Sequence, residues 1–103
     1  MTNTIYIHQP EKSVSFTRLP NFLFEAPTFT PLSNEAKILY AFILRRTELS
    51  RKNGWADEYG RIYLYYPICE VVALLHCGRQ KAVNTLRELQ YAGLVDCLLY
   101  TSD

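Results

Sequence analysis

Histidine is nearly absent from this 103-residue chain, which has only His8 and His76, and its three cysteines, Cys69, Cys77 and Cys97, form no Cys-x-x-Cys pair. A zinc or iron site lacks its ligand set. Metal-assisted chemistry by a tyrosine nucleophile also needs paired histidines, so the eight tyrosines are read as sheet and core residues. An odd cysteine count in a chain large enough to fold without staples points to free thiols and a reducing, cytoplasmic setting. Glycine is scarce at four residues, and none falls in a phosphate-cradling loop, so nucleotide hydrolysis is not expected. Asp57 and Glu58 are adjacent but have no partners that would separate their pKa values for acid–base work. Long apolar runs are missing too. The longest, Ile38 to Leu44, is far short of the roughly 20 residues that cross a bilayer. Met1 to Lys12 lacks the apolar core of a signal peptide. Charge shows no bias, with 11 Lys and Arg against 10 Asp and Glu for a net +1, so any surface for a polyanion must be a local patch. These absences lead to the expectation of a soluble protein with no catalysis, no cofactor and no metal.

What is present suffices for one core, since 49% of residues are apolar and 14% aromatic. Val14 to Phe16 favours a strand, and Pro20 suits the first position of a short helix through Glu25. Ser33 is a good N-cap and Glu35 lies in the first turn of the helix that follows. In that helix Ala36, Leu39, Tyr40, Ile43 and Thr47 recur at helical spacing. Ile38, Phe42 and Leu44 make its middle apolar almost all round, so Ile38 and Phe42 are candidates for a face packed on the amino-terminal segment or on a second copy. Asn53-Gly54 ends the helix. Trp55 reads as a core anchor, and Arg45, Arg46, Arg51 and Lys52 serve either phosphates or the helix end. Arg61 to Tyr66, after the turn cluster Asp57 to Gly60, reads as the far strand of a hairpin.

Pro67 opens a helix over Ile68 to Leu75, His76-Cys77-Gly78 is a turn, and a second helix runs from Arg79 to about Tyr91, closed by Gly93. Leu94-Val95-Asp96 reads as a strand. Two helices joined by a three-residue turn containing glycine are the signature of a helix-turn-helix. Strands on either side point to the winged variety, an α+β fold that is mainly α. In the second helix Ala82, Val83, Leu86 and Leu89 face the core, while Arg79, Gln80, Lys81, Asn84, Thr85 and Arg87 are expected to project outward. Arg and Lys donate to guanine O6 and N7, Gln and Asn pair with adenine, and Thr serves phosphate or a thymine methyl. From Arg79 to Glu88 three basic residues stand against one acidic residue, so this stretch is basic although the whole chain is balanced.

The order Phe16-Thr17-Arg18-Leu19-Pro20-Asn21-Phe22, Leu32-Ser33-Asn34-Glu35-Ala36, Lys52-Asn53-Gly54-Trp55, Gly60-Arg61-Ile62-Tyr63 and Cys77-Gly78-Arg79-Gln80-Lys81-Ala82-Val83, with Gly93-Leu94-Val95, resembles the amino-terminal domain of the plasmid replication initiator RepA family. The resemblance implies a winged helix that binds duplex DNA at origin repeats as a dimer and starts theta replication, in company with host replication proteins. It places Arg79, Gln80, Lys81, Asn84 and Thr85 on the recognition helix. Gly78 stands where relatives often have Ser, which removes a side-chain cap and one phosphate contact. Gln90, Tyr91 and Ala92 replace a more charged stretch. The last seven residues, Cys97 to Asp103, are similar to a translated transposon-end adapter used in sequencing libraries. The expected organisation is a flexible segment over 1–12, the winged-helix domain over 13–96 with its wing incomplete, and a non-native tail over 97–103. Two other readings share this fold: a transcriptional regulator, and a protein-interaction module of a replication complex.

Overall fold

A computed structural model describes residues 4–8, 15–52, 54 and 65–95, with the backbone alone for residues 49–51. Its elements are α1 (Phe22–Glu25), α2 (Asn34–Lys52), α3 (Ile68–Leu75) and α4 (Arg79–Tyr91). The protein is mainly helical, and among the described residues there is no strand. Ser15 and Phe16 are irregular, and so are Tyr65 and Tyr66, which corrects the strands expected over Val14 to Phe16 and Arg61 to Tyr66 as far as they are described. Residues 9–14, 55–64 and 96–103, which include Trp55, most of the expected hairpin, the end of the wing strand and the tail, lie outside the described residues.

α2 begins where its cap chemistry allows. The Ala36 amide donates to Ser33 Oγ at 3.2 Å, so the Ser33 side chain satisfies an N–H that has no partner within the helix. Gly54, just beyond the helix end, takes a φ of 74°, the left-handed conformation that glycine adopts without Cβ strain. The start of α1 differs from the expectation. Asn21 is the N-cap and Phe22 the first helical residue, so Pro20 stands one position outside, where its carbonyl accepts from the Leu23 amide at 3.3 Å.

The core gathers Ala36 and Leu39 of α2, Ile68 and Val71 of α3, and Ala82, Leu86 and Leu89 of α4. Leu39, Val71 and Leu89 are fully buried, and removing a side chain of this size from water contributes about 1.5–3 kcal/mol. Alanines at 36 and 82 leave room for α2 and α4 to approach closely. One side of the apolar middle of α2 is covered by the amino-terminal segment. Phe22 meets Tyr40 edge-on at 6.1 Å and Phe29 at 5.4 Å. Lys37, only 5% exposed, runs its stem through this layer, with Nζ 4.5 Å from the Phe24 ring centre and donating to the Thr30 carbonyl at 3.3 Å. Ile38 remains 41% exposed, and Phe42 is half-buried.

Candidate nucleic-acid interface

α3 and α4 form a helix-turn-helix with the expected bounds. Pro67, extended at ψ 151°, precedes α3, and His76 takes a left-handed φ of 52° at its end. Cys77 then donates its amide to the Val72 carbonyl at 3.3 Å. Gly78 caps α4 in extended backbone at φ −79° without a side-chain bond, a conformation open to any residue, and a Cβ placed there would meet no atom within 4 Å. The other end of α4 closes in a Schellman motif. Leu94 donates to the Leu89 carbonyl at 3.1 Å and Gly93 to that of Gln90 at 3.0 Å, with Gly93 at φ 79°. That motif consumes the Leu94 amide and packs Leu94 against the core, so the strand expected from Leu94 does not form over its described part, Leu94 and Val95.

The outward face of α4 carries Arg79, Gln80, Lys81, Asn84 and Arg87, all exposed. Its amino-terminal turn has no acidic residue. Gln80 Nε2 donates to Asn84 Oδ1 at 3.1 Å, so the two amides stand side by side one turn apart. Thr85 is the correction. It is fully buried, and its hydroxyl donates to the Lys81 carbonyl one turn back at 2.7 Å. Burial requires a partner for that hydroxyl, and the helix backbone supplies it. Thr85 therefore belongs to the core face and cannot meet a nucleic acid.

Two contacts that the sequence does not reveal fix α4 on α2. Glu88 accepts from the Ser33 amide through Oε1 at 2.9 Å and from the Ser33 hydroxyl through Oε2 at 2.8 Å. A carboxylate thus sits at the amino terminus of α2, where the helix dipole favours it. Lys81 Nζ lies 3.2 Å from Glu35 Oε2. The Glu35 carboxyl is held below its ordinary pKa, first by a hydrogen bond from its own backbone amide and then by Lys81, so it is ionised at neutral pH and stays so into mild acid.

Arg45 and Arg46 of α2 are engaged elsewhere. Arg46 pairs with Glu70 at 2.7 Å, donates to the Tyr65 carbonyl at 2.8 Å and stacks 3.8 Å from the Tyr66 ring centre. It holds α2, the segment before α3 and α3 together, and is no spare phosphate ligand. Burial raises the Tyr66 hydroxyl pKa, with Arg46 opposing. Arg45 donates to Thr17 Oγ1 at 3.2 Å and borders, with Arg18 and Glu48, an open cavity of about 380 Å³. Among the described residues no group of three or more His, Cys, Asp or Glu could hold a metal. No helix among them is long and apolar enough to cross a membrane.

Known proteins share this arrangement. A solved chain from "Structure of MDR initiator" is 38% identical, covers 80% of this chain and 68% of its own length, and superposes with a TM-score of 0.70. One from "Structure of Rep-DNA complex" is 34% identical at TM-score 0.66, over 78% of this chain and 62% of that one. An "N-Terminal domain of DNA binding protein" is 27% identical at TM-score 0.69, over 91% of this chain and 78% of that one. A "41 kDa protein" of Lactobacillus helveticus is 30% identical over 81 residues, 79% of this chain but only 23% of the relative. This chain thus spans about a quarter of that protein's length. The family model for the replication initiator protein A (RepA) N-terminus matches residues 15–100. The chain belongs to that family.

Proposed function

We propose that this chain is the DNA-binding amino-terminal part of a theta-type plasmid replication initiator, which recognises repeated duplex sequences at its origin through α4. The observation that carries the reading is the exposed row Arg79, Gln80, Lys81, Asn84 and Arg87 on the second helix of a helix-turn-helix, in a chain of the RepA family. Arg79 and the amides of Gln80 and Asn84 supply base-edge donors and acceptors, and Arg87 serves phosphates. Two relatives are described as an initiator and as part of a Rep-DNA complex, which supports the same use here. The finer features belong to this proposal: a winged α+β fold, a homodimer with Ile38 and Phe42 in its interface, host replication proteins as further partners, action in the cytoplasm, and binding without catalysis or cofactor.

The test is fluorescence anisotropy of the chain against labelled duplexes that tile its own gene and flanks, at two salt concentrations. Tight binding to one repeated segment, with weak and salt-sensitive binding elsewhere, supports an origin-binding initiator. Tight binding confined to a promoter supports a transcriptional regulator. The absence of salt-sensitive binding to any duplex overturns the proposal and leaves a protein-interaction module.

A further inference from the structure

One contact that ties α4 to α2 lies outside the core, beside the basic face of α4. Lys81 and Glu35 pair at 3.2 Å with side chains 53% and 42% exposed. Glu35 belongs to the first turn of α2, so α4's own sequence gives no sign of it. The other acidic group near this face, Glu88, is occupied by Ser33. Glu35 is thus a carboxylate that tertiary packing carries to a helix face lined by three cations and two amides. It is anchored at a helix amino terminus, whereas Lys81 has the longer, freer stem.

A duplex laid against α4 brings phosphates within reach of Lys81, and phosphate–cation contacts are the sequence-independent part of affinity. A lysine already paired gains less from an arriving phosphate. We propose that Glu35 is an affinity-limiting residue of the DNA-binding face: by occupying Lys81 it withholds one phosphate contact from any duplex laid on α4, preferred or not, and so lowers affinity and softens its salt dependence on all sequences alike. Contacts from Arg79, Gln80 and Asn84 to base edges are left untouched. The inference rests on α4 being the DNA-facing helix.

The variant to make is Glu35→Gln, which keeps the shape and removes the charge. Its binding to a labelled mixed-sequence duplex should tighten about three- to tenfold at low salt, and the log–log salt dependence should steepen by about 0.9, the value of one phosphate contact. The preferred duplex should tighten by the same factor, so the ratio of the two affinities should hold. In a Lys81→Gln background the same substitution should change nothing. Glu35→Asp, which retains the charge on a shorter stem, should lie between Glu35→Gln and the unsubstituted chain, and thermal melting of each variant checks that the fold is kept. Unchanged or weaker mixed-sequence binding by folded Glu35→Gln, or a gain that survives in the Lys81→Gln background, overturns the inference. If the unsubstituted chain binds neither duplex, the DNA-binding reading falls and this inference with it. If it binds and Glu35 is inert, only the inference falls.

Discussion

The two faces of α4 are built from the same thirteen residues and answer to different rules. Its inner face, Ala82, Thr85, Leu86 and Leu89, is buried, and each side chain there is held by packing or by a bond to the helix itself. Its outer face, Arg79, Gln80, Lys81, Asn84 and Arg87, stands in water. The inner face sets where the helix lies, and the outer face sets what it touches. Stability and binding should therefore respond to different substitutions only one or two positions apart.

The largest effect should come from the inner face. Leu89→Ala opens a cavity in a fully buried site and should cost about 2–5 kcal/mol of folding stability, read as a large drop in melting temperature. On the outer face, Arg79→Ala should weaken binding to the preferred duplex by about 1–3 kcal/mol while the melting curve stays in place. A shifted melt would mean that Arg79 serves the fold. Glu88→Ala tests the border between the faces. It takes from Ser33 the acceptors of its amide and hydroxyl and should lower stability by about 1–2 kcal/mol, with DNA affinity falling only as the folded fraction does. Arg87→Ala should flatten the salt dependence by about one phosphate contact, equally on all sequences. The smallest change belongs to Thr85→Val, which keeps the buried shape and loses one bond within the helix. Stability should move by less than about 1 kcal/mol, and binding should not move. A loss of binding with an unchanged melt would return Thr85 to the outer face.

The bounds of α3 and α4 were legible in the sequence because local chemistry sets them. Pro67, the glycines at 78 and 93 and the apolar period between them act within a few residues. Thr85 was misplaced for a physical reason. It stands three residues after Ala82 and four before Leu89, on the inward stripe, and only its polar label suggested otherwise. A threonine on such a stripe can satisfy its hydroxyl on the carbonyl four residues back, so spacing was the better guide. Glu88 with Ser33, and Lys81 with Glu35, join residues far apart in the chain, and no local pattern reports them. Arg46 read as a phosphate ligand or a helix-end charge, since nothing local tells that its partners are Glu70 and the Tyr65–Tyr66 segment. The apolar middle of α2 had two possible covers. Phe22 against Tyr40 and Phe24 over Lys37 show the amino-terminal segment covering part of it.

The central claim is that the outer face of α4 is where duplex DNA lies. Nitrogen-15 NMR of the labelled chain, titrated with its tightest-binding duplex, tests it most directly. The largest amide shifts are expected from Gly78 through Arg87, with small ones across Phe16 to Phe24. Large shifts over Phe16 to Phe24 with α4 unmoved would contradict the account and place the binding surface at the amino-terminal layer.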